Sequence, residues 1–463
     1  MSNLEKMSIH KSIAAIATGA APGGIGIVRI SGPDAVTIAE KVVRTKSGKP
    51  LSELRGYSAA LGEAFDASGE KLDDVVALVF LAPKSYTGEN VVELSCHGGM
   101  FVVKQLLRAV LEAGAVPAGP GEFTRRAFLN GKMDLAQAEA VMALVGAGGE
   151  EAARIGVAAG SGALSKKIEA VRGEIAELSA HLAAWADFPE EDVPELTEHE
   201  LLQKLEQAEA ALSTLLATFD SGKIYREGVV TVIAGRPNTG KSTLMNLLSG
   251  CEKSIVTQFA GTTRDVVEET VLLGDIPLRL ADTAGLRETS DPVEQIGVQS
   301  ARERLATAQL IFAVFDCSQP MTEEDRRWIE ELDPARTVAV INKTDLPALW
   351  DSRELEERFP HMASISAATG AGLDDLQRAV EDLLGTGQFQ PSSGALFTER
   401  QRDDVRRARD AIQEARQAVC GGLTLDAATV SVEAALSALY ELTGEKVSDE
   451  IIDRVFETFC VGK

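Results

Sequence analysis

The stretch GRPNTGKST, from Gly235 to Thr243, holds residue types that bind a phosphate chain, at the spacing such binding needs. Its glycines let backbone N–H groups turn toward a β-phosphate, so Asn238, Thr239 and Gly240 would offer amides to it. Lys241 would reach the β- and γ-oxygens and act during their transfer, the Ser242 hydroxyl would ligate magnesium, and Thr243 would follow in the same turn. A loop of this kind works only between a buried strand and a helix. The run VVTVIAG before it and the helix it opens supply that setting.

Companion motifs follow in order. DTAG, Asp282 to Gly285, ends the strand-like run IPLRLAD. There Asp282 could hold a magnesium-bound water, and Thr283 and Ala284 lead to the Gly285 amide, which can sense a γ-phosphate. GTTRD supplies Thr262 and Thr263 in a polar loop. A threonine hydroxyl there can complete the magnesium shell only when triphosphate is bound, and Thr263 is the expected ligand. NKTD, Asn342 to Asp345 with Lys343 between, decides the base. A carboxylate at Asp345 can accept from both the guanine N1–H and its exocyclic amine, whereas adenine offers no such donor pair. SISAATG adds Ser366 and Ala367. The set implies a Ras-like P-loop fold that prefers GTP to ATP. Ras-type enzymes orient the attacking water with a glutamine after the DTAG glycine. This chain has Leu286 there, which can neither donate nor accept, so Arg264, Arg287, Glu288 and Glu294 are the candidates to replace it.

The elements that position these groups fall into three compositional zones. Residues 1–122 alternate short apolar runs such as IGIVRI, VVALVFLA and VVELSC with one helical pattern, MFVVKQLLRAVLEAG, which predicts an α+β domain. From FTRRAFLNGKMDLAQAEAVMALV onward, residues 123–222 run at helical spacing and are interrupted by DFPEEDVPE. Residues 223–388 hold the buried-strand runs of a parallel sheet, and 389–463 return to helical spacing after the linker GTGQFQPSSGA. The fold class expected is multidomain α/β: an N-terminal α+β domain, then a discontinuous helical domain that a GTPase domain interrupts. The final helix pattern, SDEIIDRVFETFC, sets Ile451, Ile452, Val455, Phe456 and Phe459 on one side behind a Ser448 N-cap. The tail is therefore expected to dock.

Composition narrows the function further. The 463 residues carry 46 Lys and Arg against 70 Asp and Glu, a formal charge of −24, which repels polyphosphates and argues against a generalist nucleic-acid binder. RNA contact would be local, and RQRDDVRRARD (Arg400 to Asp410) and TRR (Arg125, Arg126) are the arginine concentrations available for it. Both also fit ordinary solvated helix faces. Cys96, Cys251, Cys317, Cys420 and Cys460 form no C-x-x-C pair, which suits a reducing cytoplasm better than a disulfide or zinc framework. Cys96 beside His97 is a weak catalytic pair. No apolar run reaches the roughly 18 residues of a membrane span.

Taken together, IGIVRISG, TGENVVELSCHGG, GEFTRRAFLNGKMDLAQAEA, GRPNTGKST, GTTRDV, DTAGLR and FCVGK closely resemble the tRNA-modifying GTPases of the MnmE, or TrmE, family, over the whole chain. The resemblance implies a GTP hydrolase that works in a heterotetramer with MnmG, an FAD- and NADH-dependent protein. Together such proteins install an aminomethyl or carboxymethylaminomethyl group on C5 of the wobble uridine of certain tRNAs. It also implies a tetrahydrofolate derivative, 5-formyl or 5,10-methylene, as one-carbon donor, with Arg29, Glu93, Lys132 and Lys463 at the folate-binding positions. Homodimerisation through the N-terminal domain and transient pairing of GTPase domains come with it. Potassium falls to Asn238, Thr257, Thr262 and the Phe259 carbonyl, with Thr257 also in the nucleotide loop. Glu294 matches the residue that helps orient the attacking water. The Cys-x-Gly-Lys ending makes Cys460 the candidate nucleophile or acid–base group. A rival reading is a GTP-controlled switch in ribosome or ribonucleoprotein assembly, which would have no use for the CVGK end or for Arg29, Glu93 and Lys132.

Overall fold

A computed structural model describes residues 11–19, 21–187, 197–250, 269–280, 305–387, 394–422 and 425–463. The N-terminal region runs β1 (Ile13–Ile16), β2 (Ile25–Ser31), α1 (Ala35–Val42), β3 (Val43–Thr45), β4 (Ser58–Phe65), β5 (Lys71–Phe80), β6 (Val91–His97), α2 (Met100–Glu112), β7 (Val116–Pro117) and α3 (Glu122–Leu129). Helices α4 (Leu135–Val145), α5 (Glu150–Gly160), α6 (Ala163–Asp187), α7 (Glu198–Ala217) and α8 (Phe219–Glu227) follow. Then come β8 (Val229–Ala234), α9 (Lys241–Gly250), β9 (Glu269–Leu273), β10 (Ile276–Leu280), β11 (Leu310–Asp316), α10 (Glu323–Glu331), β12 (Thr337–Asn342), α11 (Arg353–Glu356), β13 (Met362–Ser364) and α12 (Leu373–Leu384). The last helices are α13 (Glu399–Cys420), α14 (Leu425–Thr443) and α15 (Asp449–Glu457). The chain divides into two compact units, Met1–Glu139 with Ser437–Lys463, and Ala140–Leu436.

In the first unit the sheet order is β3-β4-β5-β6-β2-β1-β7. Period-two alternation gives this sheet two unlike faces. Val28, Ile30, Ala77, Val79, Val92 and Leu94 pack under α1 and α2, through Ile38, Val42, Val103 and Leu106. On the other face the register lines up Ala59, Leu78, Glu93 and Arg29 in one row. Leu61, Val76, Ser95 and Ile27 form the next. Gly26 is required where α2 crosses β2, since a Cβ there would lie 2.1 Å from Val103 Cγ2.

The helical run after Phe123 breaks at Asn130–Asp134, which the periodicity did not reveal. Gly131 takes a left-handed φ of 68° to end α3. Asp134 and Gln137 then cap α4 reciprocally, at 2.8 and 3.0 Å. Helix α15 does dock: Ser448 Oγ accepts from Ile451 N, and Ile452, Phe456 and Phe459 are buried. The Phe456 ring lies 6.3 Å from that of Phe128.

In the second unit the sheet order is β13-β12-β11-β8-β10-β9, parallel except for the β9–β10 hairpin. Strand β11, LIFAVFD, is buried at every residue, as a central parallel strand covered on both faces must be. Leu244 and Leu248 of α9 join Phe312, Val314, Val338 and Val340 in the core. Helices on either side of the second sheet in sequence, α7 and α13, pack together. Gln413 donates to Glu209 at 2.6 Å, and Arg416 pairs with Glu209 at 3.1 Å. Ala152, Ile155 and Ala159 of α5 share a core with Tyr225, Ile276 and Leu278.

Candidate functional site

The phosphate loop spans the end of β8 and the start of α9. Its shape depends on two glycines whose backbone no other residue could follow. Gly235, at φ 139°, would drive a Cβ to 2.4 Å from the Val314 carbonyl. Gly240, at φ 97°, would place one 2.2 Å from Asn342 Nδ2. Asn238 sits at φ 63°, a left-handed conformation that asparagine tolerates better than most residues. Lys241 Nζ donates to the Gly235 and Arg236 carbonyls at 2.9 and 2.7 Å, which holds the ammonium over the loop. Ser242 and Thr243 are exposed at the N-terminus of α9, where the helix dipole favours an anion. A hydroxyl next to the phosphate lysine in that place fits a magnesium ligand.

NKTD is built into the same frame. Asn342 is buried between two backbones: its Nδ2 donates to the Thr239 carbonyl at 2.8 Å, and its Oδ1 accepts from Ala367 N at 3.0 Å. Lys343 Nζ donates to the Asn238 carbonyl at 2.9 Å and to Asp316 Oδ2 at 2.6 Å. Burial would push the Asp316 carboxyl up, but hydrogen bonds from Lys343 and Ser318 outweigh it and hold it below the usual carboxylate range. Asp345 is exposed, with its carboxylate aimed by the buried Ser366, whose Oγ donates at 2.6 Å. Asn342 and Lys343 thus tie the base loop to the phosphate loop, and Ser366 and Ala367 hold it from the other side, leaving an exposed carboxylate at Asp345. Thr257, Phe259, Thr262, Thr263, Arg264, Asp282, Thr283, Ala284, Gly285, Leu286, Arg287, Glu288 and Glu294 lie outside the described residues, as does Cys251.

The second cluster lies in the first unit. Arg29 and Glu93 are direct cross-strand partners, and Arg29 Nε donates to Glu93 Oε1 at 2.8 Å. The guanidinium is flanked by the Tyr86 and Phe123 rings, 5.8 and 5.5 Å from their centroids. Its Nη1 reaches the Gly462 carbonyl at 3.3 Å. The tail is held by backbone bonds as well: Gly121 N donates to Cys460 O at 3.3 Å, and Phe123 N to Lys463 O at 3.2 Å. Gly462 lies at φ 99°, where a Cβ would meet the Ile16 carbonyl at 2.3 Å. Cys460 is exposed. Lys132 Nζ donates to the Pro83 carbonyl at 3.1 Å, and Lys463 is half-buried. Arg29, Glu93 and the tail therefore meet, with Arg29 and Glu93 bonded to each other. For an anionic, planar ligand such as a folate, aromatic walls and a fixed guanidinium make a fitting set.

For the arginine concentrations and the Cys96–His97 pair the structure favours the ordinary structural reading over the functional one. Arg126 is not available to RNA phosphates: it is 3% exposed, and bonds the Lys11 carbonyl at 3.0 Å, Glu89 at 3.1 Å and Glu122 at 2.9 Å. Arg125 pairs with Asp453 at 2.8 Å. On α13, Arg400 and Arg407 pair with Asp404, Arg402 with Asp403, and Arg409 with Asp410, the pattern of an ion-pair-laced helix. Cys96 and His97 point to opposite faces of β6, so they form no catalytic pair. Burial, then the nearby Asp73, pushes the Cys96 thiol up to about 11, and His97 Nδ1 instead bonds Asp73 at 2.8 Å.

Tyr86 and Thr124 went unnoticed in the sequence. The Tyr86 hydroxyl lies 2.9 Å from Thr124 Oγ1, and this bond fixes the aromatic wall over Arg29. The only signal for it was a tyrosine within the turn-rich SYTGEN.

A family model described as the MnmE helical domain matches residues 135–460, and one described as the GTP-binding protein TrmE N-terminus matches residues 12–132. A tRNA modification GTPase MnmE of Symbiobacterium thermophilum is 44% identical over 457 residues, covering 98% of this chain and all (100%) of that one. Proteins of the same name from Alkaliphilus oremlandii and Enterococcus faecalis are 41% and 43% identical over 461 and 457 residues. These cover 99% and 98% of this chain, and 100% and 98% of theirs. With phosphate loop, guanine-type base loop and docked Cys-x-Gly-Lys tail all present in one chain, it belongs to the MnmE family of tRNA modification GTPases.

Proposed function

We propose that this chain hydrolyses GTP in the service of tRNA modification, and that the group installed is an aminomethyl-type substituent on C5 of the wobble uridine. Family membership supports the first half. The observation that carries the second is the capture of Cys460–Lys463 by the start of α3 and by Arg29. A nucleotide switch without chemistry of its own has no use for a thiol presented on a pinned tail.

In this reading Asp345, aimed by Ser366, selects guanine, and Lys241 neutralises the β- and γ-oxygens. Glu294 orients the attacking water where Leu286 cannot. Magnesium would be held by Ser242 and Thr263, and potassium by Asn238, Thr257, Thr262 and the Phe259 carbonyl; both supply positive charge beside the transferring phosphate. A tetrahydrofolate derivative would supply the one-carbon unit. Toward it, Lys132 and Lys463 offer positive charge for carboxylates, and the Arg29–Glu93 pair offers a fixed donor and acceptor. Cys460 acts on the uridine or the one-carbon adduct, as nucleophile or acid–base group.

The redox half-reaction belongs to a flavin- and NADH-dependent MnmG partner in the cytoplasm. Homodimerisation through the N-terminal domain is supported by Leu61 and Val76, large apolar residues left exposed on the outer sheet face. The domain partition we adopt is 1–122, 123–222 with 389–463, and 223–388. Among the described residues, no helix is long and apolar enough to cross a membrane.

The test is nucleoside mass spectrometry of tRNA from cells lacking the protein, complemented with the intact chain or with Cys460→Ser. The modified wobble uridine should return with the intact chain alone. Wobble uridines unchanged by loss of the protein would replace this reading with the assembly switch.

A further inference from the structure

Between Gly235 and Pro237 the phosphate loop carries an arginine that the nucleotide-binding motif does not require. Its backbone and its side chain do different things. The Arg236 carbonyl accepts from Lys241 Nζ at 2.7 Å and from Thr239 Oγ1 at 3.1 Å. The orientation of that peptide, with the Gly235 carbonyl beside it, therefore helps to place the phosphate-binding ammonium. The Arg236 side chain leaves the loop and pairs with Asp325, Nε to Oδ1 at 3.1 Å, with a longer contact from Nη1 to Gln319 Oε1 at 3.4 Å.

Asp325 is a rigid anchor. It is 3% exposed and stands in the first turn of α10. Its second oxygen closes the capping box, accepting from Thr322 N at 2.9 Å and Thr322 Oγ1 at 2.8 Å. One carboxylate thus caps a helix and holds the phosphate loop from 89 residues away. A buried carboxylate shared in this way is costly to leave unpaired, so the guanidinium has a strong preference for staying.

We infer that Arg236 is a positioning residue for GTP binding: its ion pair with Asp325 locks the Gly235–Arg236 carbonyls that hold Lys241 in place for the β- and γ-phosphates. Arg236 touches no phosphate in this role; it acts through Lys241. The base loop bonds the phosphate loop at Thr239 and Asn238, but it also has ties of its own: Ala367 N donates to Asn342, Ser366 to Asp345 and Lys343 to Asp316. The effect of losing Arg236 should therefore follow the phosphates and not the base.

The full-length protein would be titrated with GDP and with guanosine, as wild type, Arg236→Gln, Arg236→Lys, Asp325→Asn and the Arg236→Gln/Asp325→Asn double variant. Arg236→Gln should weaken GDP about tenfold, roughly the worth of one hydrogen bond to a charged group. Guanosine affinity should stay within about twofold, because the base loop keeps its own ties. Arg236→Lys should recover most of the loss by restoring the charge. The double variant should be no weaker than the poorer single one, since both remove the same pair. An equal loss for GDP and guanosine would mean a general structural role and would overturn the inference. So would unchanged GDP affinity, additive single effects, or a lysine variant no better than glutamine. Arg236→Lys and Asp325→Asn keep the test decisive should Arg236→Gln fail to fold.

Discussion

The Asp345 carboxylate meets Ser366 Oγ at 2.6 Å and is otherwise exposed, so its remaining acceptor capacity faces whatever base arrives. Guanine recognition by two charge-assisted hydrogen bonds is the consequence expected of such a group. Replacing it with an amide, Asp345→Asn, leaves a donor where the guanine amine also donates. GTP affinity should fall roughly a hundredfold, and xanthosine triphosphate, which carries a carbonyl at that point of the ring, should bind better than GTP. Competition between the two nucleotides for the variant checks this. Among the thiols, burial holds Cys96 and Cys317 above the usual range, so both stay protonated at neutral pH. Cys460, by contrast, is exposed on the tail.

At the scale of elements, two placements have measurable consequences. The tail follows α15 and turns through Gly462, whose φ of 99° and 2.3 Å approach to the Ile16 carbonyl leave no room for a side chain. Gly462→Ala should undock the tail and lower wobble modification about tenfold or more, while GTP turnover by the other unit continues. Measuring both activities on one preparation separates the two outcomes. The second placement is the tip of the β9–β10 hairpin. There burial, with Glu150 and Glu381 close by and Arg154 opposing them, raises the Asp275 carboxyl above its ordinary value. A raised carboxyl favours the folded state when protonated. Its contribution is complete below the unfolded-state value near 3.8 and is lost as pH rises through the folded-state value. Asp275→Asn should therefore raise Tm by a few degrees at pH 7 to 8, with the advantage vanishing near pH 4, as thermal melts across that range would show.

For the whole molecule, two compact units share one chain, and each holds one candidate site. If potassium completes the phosphate site and GTPase domains pair across it, hydrolysis should be at least about tenfold faster in potassium than in sodium. The rate per molecule should also rise with protein concentration. Equal rates in the two salts would remove Asn238, Thr257, Phe259 and Thr262 from the ion's coordination. The charge of −24 adds a constraint: arginines of α13 and α3 are engaged with carboxylates, which leaves little basic surface on these helices for RNA phosphates.

Much of this was legible in the residues alone, for a local reason. A phosphate cradle, a guanine carboxylate and a buried parallel strand each impose a requirement within fewer than about ten residues, and β8, β11 and β12 fall where their apolar runs lie. The docking of the last helix was equally plain from its one-sided apolar pattern. What only the tertiary structure decided involves partners far apart in sequence. Arg126 reads like a surface arginine until Glu89 and Glu122 close around it. Arg236 reads like a loop filler until Asp325 arrives from α10. Arg29 and Glu93, 64 residues apart, become neighbours only through strand register, and Arg29 meets Gly462 across 433 residues. Residue type gives a side chain its charge and reach. Burial and partner come from the packing of distant segments, and these decide whether the charge binds a ligand or holds the fold.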